Sequence, residues 1–150
     1  QNITLAASYY QEALSLAKSI GHNFQEALTL FSIGELYEDE DSELALEHYI
    51  KSIECILDID AIFVKLNIIN KITNLLMDRI PPDKMATWLV SALQYTENYK
   101  KRDELETKLN QINKKLDEKT YELAYEKGQN LEMDNLLLDI RNSRDNKNEK

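Results

Sequence analysis

The 150-residue chain is poor both in residues that break helices and in residues that build reactive sites: it has 3 Gly, 2 Pro, 1 Cys and 2 His. So few glycines and prolines exclude a turn-rich all-β sandwich and favour long helices. A single thiol, Cys55, excludes a disulfide framework and a multi-thiolate zinc site. The three glycines are too widely separated to build a phosphate loop or a dinucleotide turn. No segment resembles a signal peptide or the roughly 20 apolar residues of a membrane span.

The side chains that most often carry catalysis are isolated in this sequence. His22 falls in a predicted turn and His48 on a predicted helix, and neither belongs to a Glu-x-x-His or His-Glu-x-x-His motif. Cys55 has no base beside it and is predicted to be a small buried hydrophobe. The sequence therefore predicts a protein that is not an enzyme, with no catalytic residue, no metal site and no cofactor.

Net charge narrows the class of partner. The formal net charge is −9 and the sequence pI is about 4.8, so the chain repels phosphate backbones and nucleic acid is excluded as a partner. Residues 1–75 carry 12 acidic and 4 basic side chains, a balance of −8, whereas residues 76–150 carry 15 and 14. The acidic half favours neutral or basic partners through its summed electrostatic field. The alternative is that this charge only keeps the surface soluble.

What the sequence does contain is an internal repeat at helical spacing. Small and large side chains alternate along one helix face in Ala6, Tyr10 and Ala13, in Ala45, Tyr49 and Ser52, and in Met85, Leu89 and Ala92. The apolar stripe from Phe24 to Tyr37 recurs from Phe63 to Leu76. With Gly21 as a helix end, Asn23 and Ser42 as N-caps and Pro81-Pro82 as a stop, helices are predicted over 2–20, 23–38, 42–58, 61–79, 83–99 and 101–141.

The repeated segments resemble the tetratricopeptide repeat (TPR) family. The signature is carried by Leu30-x-x-Ile33-Gly34-x-x-Tyr37, then Ala45-x-x-x-Tyr49, then Ser52. Because the repeat is longer than the family's usual one, it is similar to the long-helix TPRs of bacterial signalling proteins. The resemblance implies an all-α fold of antiparallel helix pairs stacked as a solenoid over residues 1–100, with the first repeat truncated and the chain a piece of a longer protein. An ordinary helical bundle with accidental periodicity is the alternative.

A TPR stack presents a concave groove, and the resemblance implies which residues line it here. Asn67, Asn70 and Asn74 share one helix face, and Asn side chains can pair with the backbone of an extended peptide. Three acidic residues, Glu35, Glu38 and Asp39, stand where the clamp for a C-terminal carboxylate that some TPRs carry would need cations, so that clamp is excluded. The alternative is that the asparagines form a solvated face. The full predicted groove for a peptide or protein partner is Leu28, Phe31, Glu35, Glu38, Asn67, Asn70 and Asn74.

From Leu105 onward the pattern changes to strict four-three spacing. Its apolar members are predicted to form the seam of a coiled coil: Leu105, Leu109, Ile112, Leu116, Leu123, Met133, Leu137 and Ile140. One reading is a long helix over 101–141 that forms a homodimer and relays to an output domain. The other is a degenerate helix pair that caps the solenoid, with a turn near 117–120 or 128–130. Residues 142–150 are predicted to be a disordered tail or linker.

Two functions from different classes follow. The first is a cytoplasmic, non-catalytic module that binds a protein or peptide in the groove, as a regulatory or sensory part of a signalling protein. The second is a structural cap of a larger helical solenoid, with no ligand site of its own. Neither reading involves a membrane or nucleic acid.

Overall fold

The computed structural model describes residues 2–145, which form eight α-helices and no strand. The all-α class predicted from the sequence is confirmed. No helix in the described range is both apolar enough and long enough to cross a bilayer. The chain divides into two compact units, Gln1–Ile68 (unit 1) and Ile69–Lys150 (unit 2), and the division falls inside the fourth helix. The helices are α1 Ile3–Ser19, α2 Asn23–Tyr37, α3 Ser42–Ile56, α4 Ile62–Leu76, α5 Pro82–Leu93, α6 Arg102–Asn113, α7 Glu118–Gln129 and α8 Met133–Asp145.

The helix boundaries repeat with the period seen in the sequence. Helix α4 is as long as α2. The start of α4 follows the start of α2 by nearly the same number of residues as the start of α5 follows the start of α3. The first four predicted helices agree with the structure to within three residues. The fifth was expected to reach residue 99 but ends at Leu93, and turns follow it in which Tyr99 is buried.

Two of the predicted N-caps are wrong by one residue. His22, not Asn23, caps α2, because its Nδ1 accepts a hydrogen bond from the amide of Gln25 at 3.1 Å. Asp41, not Ser42, caps α3, with Oδ1 accepting from the amide of Leu44 at 3.0 Å. Each cap places a side-chain acceptor three residues before a free helical N–H, which is the spacing that a cap requires.

Close packing of α2 against α3 depends on a small residue facing a large one. Tyr49 is fully buried, and its ring lies so near Gly34 that a Cβ on Gly34 would be 2.5 Å from Cε1 of the ring. Ser52 Oγ donates to the carbonyl oxygen of Ala27 at 2.8 Å, which ties the same two helices together. The residues that suggested the repeat are therefore the contacts that join this helix pair.

The single long helix predicted over 101–141 is wrong. The chain turns between α6 and α7, where Asp117 Oδ1 accepts from the amide of Thr120 at 2.8 Å and caps α7. It turns again between α7 and α8, after Gln129. Both turns lie close to the positions considered for a capping helix pair. The cap at Asp117 ends the helical run, although the four-three spacing of apolar residues continues unchanged across this turn.

The predicted dimer seam is also corrected. Six of its side chains are buried within this single chain, so they are not available to a second copy: Leu105, Leu109, Ile112, Met133, Leu137 and Ile140. Leu116 lies in the turn after α6, and Leu123 is exposed. The register fails on α7 because the residues that this helix buries are Ala124 and Gly128 instead.

The segment expected to be a disordered tail begins inside a helix. Residues 142–145 belong to α8, which extends to Asp145. Residues 146–150 of the predicted tail lie outside the described residues.

Candidate functional site

Helix α5 is the central helix of unit 2. Helices α6, α7 and α8 all pack against it. Most residues of α5 are buried as a result, including Trp88, Leu89 and Val90. Helix α7 approaches α5 closely because Ala124 and Gly128 are small. A Cβ on Gly128 would lie 2.6 Å from Cβ of Val90 and 2.7 Å from the carbonyl oxygen of Thr87.

Hydrogen bonds from α5 and the residues after it fix the α7–α8 turn. Ser91 Oγ donates to the carbonyl oxygen of Leu131 at 2.6 Å, and Gln94 Nε2 donates to that of Gly128 at 2.7 Å. The amide of Met133 donates to the hydroxyl of Tyr95 at 3.1 Å. These bonds satisfy backbone groups that the ends of α7 and α8 leave without intrahelical partners, so the two helices are held in a defined place on α5.

A cleft opens over α5, between α6 and α7. Its volume is about 360 Å³. Apolar side chains and polar side chains both line it: Val90, Leu93, Gln94, Arg102, Glu106, Leu109, Asn110, Tyr125 and Gln129. We call this the α5–α7 cleft.

Charge within the α5–α7 cleft is neutralised locally. Arg102 Nε donates to Glu106 Oε1 at 2.7 Å, and another guanidinium nitrogen of Arg102 donates to Thr96 Oγ1 at 3.0 Å. The side-chain amides of Asn110 and Gln129 are exposed, and no group among residues 2–145 pairs with them. The cleft therefore combines apolar walls with two amides that are open to a ligand, which is the composition typical of a binding site.

A second recess of about 290 Å³ adjoins the cleft on α7. Tyr121, Glu122, Tyr125, Glu126 and Gln129 line it, and the last tyrosine and the glutamine belong to both cavities. The two tyrosine rings are tilted by 41°, with centroids 6.1 Å apart. We call this recess the tyrosine shelf.

Five residues of the predicted groove lie in unit 1, and two of them contact Tyr49. The ring of Phe31 lies 5.4 Å from the ring of Tyr49, and Glu38 Oε2 accepts from the Tyr49 hydroxyl at 2.9 Å. Burial, and then Glu38, raise the pKa of Tyr49. Leu28 is half-buried, and Glu35 lines a cleft of about 490 Å³ between α1 and α2.

The three predicted groove asparagines do not share one environment. Asn74 is exposed, Asn67 is partly buried and has an interaction partner, and Asn70 is 1% exposed. Asn70 is therefore not available to a peptide, and its place in the predicted groove is corrected. Equal spacing puts residues on one helix face, but α4 buries Ile68, Ile69, Ile72 and Thr73 as well, so the stripe alone does not identify an open face.

Asn70 instead holds a buried lysine from α6. Lys108 Nζ donates to the Asn70 carbonyl oxygen at 2.8 Å, to Asn70 Oδ1 at 2.5 Å and to Thr73 Oγ1 at 3.0 Å. The other end of the amide, Asn70 Nδ2, donates to Glu104 Oε2 at 2.7 Å. All three ammonium donors are satisfied, as a buried charge requires. We call these four residues the lysine cluster.

Burial lowers the pKa of Lys108 to about 8, against an ordinary value of 10.5. The negative charge of Glu104 opposes this shift, whereas the positive charges of Lys101 and Lys71 add to it. The sequence carried a signal for this cluster, because Lys108 falls three residues after Leu105 and four before Ile112. A lysine inside a buried stripe needs an internal partner.

The lysine cluster predicts a distinctive pH dependence. Between about pH 8 and pH 10 the folded chain has released the Lys108 proton while the unfolded chain still holds it, so stability rises with pH through this group. Relative to Lys108→Met, the free energy of unfolding of the wild type should increase by about 2 kcal/mol over that range. Urea unfolding at a series of pH values measures it, with the exposed Lys114→Met as control. If the difference in free energy of unfolding between wild type and Lys108→Met does not change with pH, the lowered pKa of the buried amine is contradicted.

Cys55 and the acidic side chains are the remaining groups in the described part of the chain that could carry chemistry. Cys55 is partly buried, and desolvation, then Glu26, raise the pKa of its thiol to about 11, so the thiol is protonated at neutral pH. Within residues 2–145, no three His, Cys, Asp or Glu side chains converge as metal ligands would.

No protein-family model, no curated protein and no solved structure matches this chain.

Proposed function

We propose that the chain is a TPR-like, non-catalytic binding module, and that its unit 2 binds an extended segment of another protein in the α5–α7 cleft. The observation that carries the proposal is the pair of open amides, Asn110 and Gln129, on the two sides of a cleft with an apolar floor. An extended peptide has backbone N–H and C=O groups that side-chain amides can pair with, and side chains that an apolar floor can take up.

The composition of the site favours binding over chemistry. Two charged side chains line the cleft, Arg102 and Glu106, and they are paired with each other. A helical scaffold fixed by hydrogen bonds from α5 keeps the walls in place. A preformed site of this kind loses less conformational entropy when a ligand binds.

The test removes the two amides and leaves the fold intact. An array of random-sequence peptides is probed with the full chain, and affinities of the peptides that bind are measured by fluorescence anisotropy. The double variant Asn110→Ala/Gln129→Ala should weaken them about tenfold or more, because each amide loses hydrogen bonds to the peptide. Its thermal unfolding should be unchanged, since neither amide has a partner within residues 2–145.

A matched control is available on the same helix. Gln111 and Asn113 are the same two residue types, lie exposed on α6 and do not line the cleft. Gln111→Ala/Asn113→Ala should bind the peptides as the wild type does. Failure of every peptide to bind, or equal binding by both double variants, would overturn the proposal.

A further inference from the structure

The tyrosine shelf has the chemistry of a site for a cation. Tyr121 and Tyr125 are one helical turn apart, so their rings lie side by side on α7. Glu122 and Glu126 flank the rings on the same stretch of α7. No cationic group among the described residues pairs with either carboxylate, although Lys119 and Lys127 are on the same helix.

A positive side chain gains from both parts of the shelf. Ring faces attract a guanidinium or ammonium group through the quadrupole of the aromatic system. Carboxylates accept charge-assisted hydrogen bonds from the same group, and a guanidinium can engage them in pairs. Burial, and then the neighbouring Tyr125, raise the pKa of the Tyr121 hydroxyl.

The shelf is continuous with the α5–α7 cleft, because Tyr125 and Gln129 belong to both. We propose that the bound segment is basic, with an arginine or lysine side chain lying on the rings of Tyr121 and Tyr125 and its charge beside Glu122 and Glu126. This inference rests on the proposed binding function and names the chemistry of its ligand.

Charge complementarity favours this occupant over the alternatives. An acidic segment would meet two carboxylates that form no ion pair within the described chain, and it would be repelled by them. A purely apolar segment would bury those carboxylates without giving them partners, which is costly. The carboxylates of Glu122 and Glu126 attract a basic segment, and salt weakens that attraction.

The experiment uses two versions of one peptide array. The first contains arginine, and the second has citrulline in every arginine position, which preserves shape and removes the charge. Arginine peptides should bind the full chain about tenfold more tightly than their citrulline counterparts. In Glu122→Gln/Glu126→Gln this preference should fall to about threefold or less, because the substituted amides carry no charge that attracts the guanidinium. The charge-matched control Glu118→Gln/Glu132→Gln should keep the full preference.

The outcomes separate this inference from the proposed function. Peptides that bind equally well with citrulline would overturn the basic ligand and leave the cleft as a peptide site. A preference for arginine that survives Glu122→Gln/Glu126→Gln would also overturn it, since the cation then binds elsewhere. If no peptide of either array binds, the proposed function and the inference fail together. Tyr125→Leu, which removes the ring and keeps an apolar side chain, should reduce the arginine preference as well.

Discussion

Gly128→Ala is expected to lower the free energy of unfolding by about 2 kcal/mol, although alanine is a better helix former than glycine by about 1 kcal/mol. The new methyl group would meet Val90 and the carbonyl oxygen of Thr87 at distances well inside van der Waals contact. One of these neighbours is backbone, so α7 must move away from α5 as a whole. Because Gly128 also accepts the hydrogen bond from Gln94, that bond should be strained or lost.

Urea unfolding of Gly128→Ala checks this expectation, with Lys127→Ala as control. Lys127 is the preceding residue on α7 and its side chain is exposed, so its replacement should change stability by no more than about 0.5 kcal/mol. Peptide binding in the α5–α7 cleft should weaken in the glycine variant, since α7 forms one wall. A Gly128→Ala protein as stable as the wild type would show that α7 does not pack this closely on α5.

Asn70→Ala is expected to destabilise the chain by about 2 to 3 kcal/mol, because it removes an acceptor from a buried ammonium group. Lys108 would keep the backbone carbonyl of residue 70 and Thr73 Oγ1. Glu104 would lose its amide donor. Asn74→Ala, on the same helix but exposed, should be neutral within about 0.5 kcal/mol.

A double-mutant cycle separates this cause from simple loss of packing. If the damage comes from the stranded charge, Asn70→Ala should cost much less in a Lys108→Met background, and the coupling energy should be about 1 kcal/mol or more. Thermal unfolding of the wild type, both single variants and the double variant gives the cycle. Additive effects would mean that the amide does not act through Lys108. Equal stability of Asn70→Ala and Asn74→Ala would contradict the cluster altogether.

Sequence reasoning succeeded where neighbours along the chain decide the structure. The few glycines and prolines, the apolar spacing and the Gly21 helix end all act within one or two turns, and they predicted the class and most helix boundaries. The recurrence of the α2 boundaries in α4 shows how far a periodic pattern determines its elements. Gly34 and Tyr49 belonged to the quoted motif, and their contact explains why that motif pairs a small residue with a large one.

It failed where residues distant in sequence compete for the same surface. The heptad from Leu105 onward predicts one helix, but the cap at Asp117 lets both α6 and α7 bury apolar area on α5. The same apolar spacing can form a seam with a second copy or a core within one chain, so the spacing alone does not distinguish the two. The spacing of the asparagines predicts that Asn70 faces a groove, and local pattern does not reveal its contact with Lys108 because that partner is remote along the chain.

The candidate site could not be predicted from the sequence, because its residues are also distant from one another along the chain. Asn110 and Gln129 are ordinary polar residues on two different helices, and only the turn after α6 brings those helices to the two sides of one cleft. Tyr121, Tyr125 and Gln129 recur every four residues, which predicts a shared face but not an open one. Because residues of α5 line the cleft between α6 and α7, that face becomes one side of it.

The only tryptophan of the chain is fully buried in unit 2, and its Nε1 donates to Asp139 Oδ2 on α8 at 2.6 Å. Indole emission shifts to longer wavelength when the ring meets water, so Trp88 is an intrinsic optical reporter of whether α8 is docked on α5. Unit 1 contains no tryptophan and is silent at this wavelength. Comparison of this emission with far-ultraviolet circular dichroism, which detects every helix, therefore reveals whether the two units unfold together or one after the other.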